Sequence, residues 1–177
     1  RAMSGSAGYT GNTAVGSWAG QSVTTGASNT LIGAQAGYGL TTAHYNVLIG
    51  DSAGKVIVSG SFNVVVGVYA GIAASVASGS TFLGYLAGGT VTTGNDNIAI
   101  GNNAMKGGAT TGDNNIAIGV SAGDALTSGI NNILMGTDAG GAITTGGSNV
   151  IIGTEAGDGF TANTTMTLIG YQAGTTI

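Results

Sequence analysis

The 177-residue sequence predicts an all-β fold, a parallel β-solenoid or β-roll of about ten 17-residue coils. Three observations predict it. First, the phrase Asn-x-x-(Ile/Val)-Gly-x-x-Ala-Gly recurs along the chain, as Asn29 to Gly37, Asn46 to Gly54 and Asn149 to Gly157. Second, its central glycine falls at Gly16, Gly33, Gly50, Gly67, Gly84, Gly101, Gly119, Gly136, Gly153 and Gly170, always 17 residues apart except for one step of 18 after Gly101. A fixed period of this length marks a fold built by stacking. Third, there are 36 glycines and no proline, with 42% hydrophobic and 6% charged residues. Glycine without proline or a three-residue period excludes collagen. The hydrophobic share excludes a disordered linker.

Each coil is counted here from its Asn position. The next three residues are apolar or β-favouring throughout, for example Val47-Leu48-Ile49 and Ile98-Ala99-Ile100. Three residues are too few for a helix, and β-branched bias with glycine bounds predicts a short strand. Side chains alternate across a strand, so positions +1 and +3 share one face and +2 takes the other. Both faces are apolar, which predicts cover on both sides. The invariant glycine at +4 predicts a bend that needs positive φ or close backbone approach. The variable pair at +5 and +6, such as Ser17-Trp18 and Thr137-Asp138, predicts a solvent-facing stretch. Alanine at +7 in all ten coils predicts a tight inward corner. Glycine follows at +8 in nine, with Met105 the exception.

Later in the coil a second apolar column appears: Val23, Leu40, Ile57, Ala74, Val91, Leu126, Ile143 and Phe160. Thr-Thr-Gly or a relative follows it, as in Thr24-Thr25-Gly26. This predicts a short second strand closed by a glycine-dependent turn. Lys106-Gly107-Gly108-Ala109 carries the extra residue of the 18-residue coil. A turn absorbs an insertion cheaply, so a bulge without loss of register is expected.

Asparagine begins eight coils, at Asn12, Asn29, Asn46, Asn63, Asn97, Asn115, Asn132 and Asn149; Ser80 and Met166 replace it. Stacked in register, the amides would form a hydrogen-bonded ladder. A turn residue chosen for left-handed φ is the other reading, although such a position would vary more with Gly and Asp. Met166 would be a broken rung.

One strand face and the second apolar column can fill a thin coil. The other strand face then becomes an apolar stripe along the whole stack, far larger than the few hundred Å² that a lone chain leaves exposed. The expected cover is the same stripe from further copies around a shared axis, a homotrimer. A wider single-chain solenoid with three sheets would also hide both columns.

No constellation for catalysis emerges, so no enzyme activity, cofactor or metal is expected. His44 is the sole histidine and reads as a solvated turn residue. Cysteine is absent, so thiolate chemistry is excluded. Asp138 and Glu155 share a coil position and would stack as like charges on a convex surface, which reads as solvation and at most a weak cation site. Gly94-Asn95-Asp96-Asn97 and Gly112-Asp113-Asn114-Asn115 faintly echo calcium-binding β-roll repeats, without their nine-residue period. Gly140-Gly141 opens no helix and is no phosphate loop. With Arg1, Lys55 and Lys106 as the only fixed cations and a net charge of −4, a nucleic-acid partner is not expected. No apolar run approaches a membrane span. Thr24, Thr41, Thr92, Thr110, Thr127, Thr144 and Thr161 stack as one column, which raises an ice-binding reading with only one regular row to support it. Trp18, Tyr69, Tyr85 and Tyr171 lie in the variable pair, where rings can bind sugars or proteins or merely line the surface.

The unit Asn-x-x-Ile-Gly-x-x-Ala, clearest at Asn97-Ile98-Ala99-Ile100-Gly101 and Asn115-Ile116-Ala117-Ile118-Gly119, resembles the head repeats of trimeric autotransporter adhesins. The longer unit, with Thr-Thr-Gly before it, also resembles repeats of bacteriophage tail-fibre proteins. The resemblance covers essentially the whole chain. Adhesin-head coils are shorter, near 14 residues. The resemblance implies a trimeric β-roll. The expectation drawn is a single repeat domain over 1–177, a slice of a longer fibrous chain, serving as a rigid shaft on a phage virion. Its partners would be its own copies, neighbouring fibre segments and a cell-surface receptor or glycan. The alternatives are an adhesin head at the bacterial surface and, third, an ice-binding solenoid.

Overall fold

The computed structural model describes residues 10–175. Arg1, one of the three expected cations, and both ends of the expected 1–177 domain lie outside them. Ten three-residue strands occur in chain order: β1 (Thr13–Val15), β2 (Thr30–Ile32), β3 (Val47–Ile49), β4 (Val64–Val66), β5 (Thr81–Leu83), β6 (Ile98–Ile100), β7 (Ile116–Ile118), β8 (Ile133–Met135), β9 (Val150–Ile152) and β10 (Thr167–Ile169). They form one parallel sheet in sequential order. Each residue pairs with its equivalent in the next coil, as in Val47↔Val64 and Ile98↔Ile116. The chain is therefore a parallel β-solenoid. The 18-residue coil keeps the strand register, because its extra residue sits in the Lys106–Ala109 turn.

Backbone hydrogen bonds link neighbouring coils around the whole perimeter. At +1 the Thr30 N–H donates to Asn46 O (2.8 Å); past the bend, Gly33 donates to Val15 O and Gln35 to Ser17 O (both 2.8 Å). On the far side Gly20 donates to Ala36 O (3.0 Å), Ser22 to Tyr38 O (3.1 Å) and Thr24 to Thr41 O (2.9 Å).

The expected second strand is absent. Val91↔Thr110 is the one isolated bridge among the described residues outside the sheet. The reason lies in the intervening donors. Ala19, Gln21 and Val23 donate within their own coil, to Gly16, Trp18 and Gly20. Alternate N–H groups thus close successive turns, and only the others reach the next coil. The far side is a chain of turns, with left-handed residues at +6 and +8 such as Gln35 (φ 56) and Gly37 (φ 57).

Three columns fill the interior. At +2, Leu31, Leu48, Val65, Phe82, Ala99, Ala117, Leu134 and Ile151 are fully buried; so are the +7 alanines from Ala19 to Ala156, and Val23, Leu40, Ile57, Val91, Leu126 and Ile143. The predicted cover on both strand faces does not hold within one chain. The +1 and +3 face is open because the coil is thin and every other inward column lies on the +2 side of the strand.

The +4 glycine is required twice over. Gly101 has φ 130, and a Cβ added there would stand 2.4 Å from the Gly119 carbonyl oxygen. The same clash repeats from Gly16 to Gly153, so this column stacks backbone on backbone. The +8 glycine has a different task. A Cβ on Gly88 would enter the Phe82 ring, and one on Gly140 would meet Leu134. The glycine makes room for the +2 side chains beside it.

Candidate functional site

The eight asparagines stack as rungs. Asn46 Nδ2 donates to Asn29 Oδ1 (3.0 Å) and to Gly60 O (3.0 Å), while the Asn46 N–H donates to the same Oδ1 (2.9 Å). The pattern repeats at Asn29, Asn63, Asn115, Asn132 and Asn149, and Asn12 opens the ladder, accepting from Asn29 and donating to Gly26 O (2.8 Å). It modifies itself around Ser80, whose Oγ accepts the Asn97 N–H (3.2 Å), and Asn97 Nδ2 keeps its bond to Gly112 O (2.9 Å). Met166 still donates its backbone N–H to Asn149 Oδ1 (2.9 Å), so the rung lost there is the side chain's own. All from Asn29 to Asn149 are buried, and each amide bonds to protein on both its oxygen and its nitrogen. The ladder ties each coil to the next through buried side chains.

A second row runs two residues before the asparagines. Ala27 donates its N–H to His44 Nδ1 (3.1 Å), His44 to Ser61 Oγ (3.0 Å), Ser61 to Ser78 Oγ (3.1 Å), Ser78 to Asn95 Oδ1 (3.0 Å) and Asn95 to Asp113 Oδ1 (2.6 Å). His44 is therefore not a freely solvated turn residue. It is half-buried, and its Nδ1 accepts the Ala27 N–H. Asp113 and Asn95, which echoed a calcium repeat, bond to each other. Chemically unlike side chains fill this row because each supplies one acceptor, which is why the sequence hides it.

The threonine column makes a third row. Thr24, Thr41, Thr127 and Thr144 each donate Oγ1–H to the carbonyl one coil on (3.0–3.1 Å). Thr110 is fully buried, and Val58 and Ser75 stand in the same column. The acidic residues do not converge on a metal. Among the described residues no group of three or more His, Cys, Asp or Glu is placed to hold one. Asp138 and Glu155 are half-buried, and Glu155 Oε2 accepts from Gln172 Nε2 (2.7 Å). The Asp124 carboxyl is perturbed. Burial raises its pKa, and repulsion from Asp138 and then Asp158 adds to the rise. No helix of the described residues is long and apolar enough to cross a membrane.

Two stretches of the exposed surface stand out. The first is the outer strand face. Val15 (56% exposed), Val64 (42%), Leu83 (46%) and Ile169 (68%) stand on it, with Ile49, Ile98, Ile100, Ile116, Ile118 and Ile152 half-exposed between them. The second is a groove of about 460 Å³ lined by Trp18, Gln21, Gln35, Tyr38 and Lys55. It lies past the glycine bend and uses no residue of the strand face. Trp18 was legible as an exposed ring. The other four were not, because a groove across three coils joins positions +6 and +9, and no motif spans them. Tyr69 and Tyr85 meet edge to face (6.3 Å), and Tyr45 stacks on Phe62 (5.2 Å). Tyr171 is exposed near the last coil.

No protein-family model matches the chain, and neither curated proteins nor solved structures give a significant match.

Proposed function

We propose that this chain is a shaft segment of a bacteriophage tail fibre or similar virion fibre, a non-enzymatic rigid spacer that assembles as a homotrimer and supports receptor binding elsewhere. One observation carries the reading: a mostly apolar strand face that runs along all ten coils of a hydrogen-bonded stack. Coils about 4.8 Å apart make that face about 45 Å long. At less than about 100 Å² per side chain it exposes on the order of 1,000 Å², beyond what single chains carry. That area meets the roughly 800 Å² per partner of a stable interface. Three copies suit the geometry because three thin coils can turn one strand face each toward a common axis. The fibre role follows from stiffness. Every coil is bonded to its neighbours around its full perimeter, and few charges or long loops offer weak points.

The test is location. Antibodies raised against the purified segment should label the fibres of phage particles in immuno-electron microscopy. Label confined to the bacterial envelope would overturn the fibre assignment in favour of the adhesin head.

A further inference from the structure

The geometry points to the Trp18–Tyr38 groove as a binding site for an acidic oligosaccharide. This inference does not rest on the fibre reading, since it concerns one place on the surface of one chain. The groove spans three successive coils. Each contributes the same turn, in which the +9 N–H donates to the +6 carbonyl: Gln21 to Trp18 (3.3 Å), Tyr38 to Gln35 (3.1 Å) and Lys55 to Ser52 (3.2 Å). The turns are tied to one another, Gln35 N–H to Ser17 O (2.8 Å) and Gly39 N–H to Lys55 O (2.8 Å). Trp18 and Gln35 sit in left-handed backbone (φ 60 and 56). The backbone that carries the lining is therefore held in place before binding.

The chemistry of the lining selects the ligand. Trp18 is half exposed and Tyr38 38% exposed, so two aromatic rings face an open groove. Ring faces take the apolar C–H face of a pyranose. The Gln35 carboxamide carries both donor and acceptor, matching vicinal hydroxyls. Lys55 supplies a cation where the chain has only three Lys and Arg against seven acids. A positive group among amides and rings favours a sugar that carries a carboxylate or sulfate. The volume of about 460 Å³ lies within the range of roughly 300–1,000 Å³ typical of small-ligand sites. Three coils extend about 10 Å along the axis, the length of two sugar rings.

Trp18 is the sole tryptophan, so its fluorescence reports on the groove alone. The 177-residue chain is titrated with hyaluronan tetrasaccharide and 3′-sialyllactose as acidic probes and with maltotetraose as the neutral probe. A saturable emission change is expected with at least one acidic probe. Tyr38→Ala should weaken it about tenfold, as loss of an aromatic anchor does. Lys55→Gln should weaken it about fivefold and abolish the preference over maltotetraose. Tyr85→Ala, outside the groove, should leave it unchanged, and all variants should keep the parent circular dichroism. No saturable response to either acidic probe up to about 10 mM, ten times the ~1 mM limit of weak sites, overturns the proposal. So does an equal response to maltotetraose, or an unchanged affinity in both groove variants. None of these outcomes touches the self-association reading.

Discussion

Asn115 makes four side-chain hydrogen bonds through one buried amide: it donates to Asn97 Oδ1 and Gly129 O, and it accepts from the N–H and Nδ2 of Asn132. Asn115→Ala leaves these partners buried without water. A loss of about 2–4 kcal/mol is expected in chemical unfolding. Asn115→Ser should lose less, because Ser80 shows that a hydroxyl can accept the next N–H. Glycine column +4 allows a cleaner comparison. Gly101→Ala combines strained φ with a clash on the Gly119 carbonyl, whereas Gly170 has the same φ (128) and nothing within 4 Å. Gly101→Ala should therefore cost more than about 3 kcal/mol and Gly170→Ala about 1 kcal/mol in the same assay. Asp124 makes a pH prediction. Its folded-state pKa is raised by burial and by Asp138 and Asp158, so the folded protein holds that proton more tightly than the unfolded chain. The site costs stability above its folded pKa, and the cost vanishes as pH falls toward the ordinary carboxylate value near 4. Asp124→Asn should stabilise the protein at pH 7 by about 0.5 kcal/mol or less, given solvent screening, and the two unfolding midpoints should converge near pH 4.

At the scale of the element, the strand was legible and the far side was not. Val47-Leu48-Ile49 and its equivalents announce a strand by β-branching and alternation, and the sheet follows from the 17-residue spacing. Val23 and Leu40 look like members of a second strand, and they are buried as such a reading requires. Their backbone is turned, however, and the cause is positive φ at +6. Non-glycine residues as different as Trp18, Leu86 and Glu155 hold that conformation, so composition cannot reveal it. Leu86 and Glu155 are secured by inter-coil bonds, Leu86 N–H to Val68 O (3.1 Å) and Glu155 N–H to Thr137 O (2.8 Å), that offset a cost of roughly 1 kcal/mol. Met105 shows a related compensation. It replaces the +8 glycine and is fully buried, in the coil where the +2 residues on either side are Ala99 and Ala117. Elsewhere that space belongs to side chains such as Leu31 and Leu48, which crowd Gly37. The open strand face makes the prediction for this scale. Leu83→Lys places a charge on the stripe, 46% exposed in the single chain, without touching the core. Sedimentation should show the assembly dissociating while the circular dichroism of the coil is kept.

For the whole molecule, the inward columns and the perimeter bonds make a rod whose strand face stays open along its length. The stripe was legible because +3 is apolar in all ten coils and +1 in six, as at Val64 and Val66 or Ile116 and Ile118. The groove was not, because it exists only once three coils are stacked. The account stands on the stripe being covered by copies of the same chain. Native mass spectrometry of the purified segment tests it directly. Three chains of 16.9 kDa should appear together at about 51 kDa, the closed assembly that a shared axis requires. A folded species at the mass of one chain, persisting as concentration is raised, would contradict it.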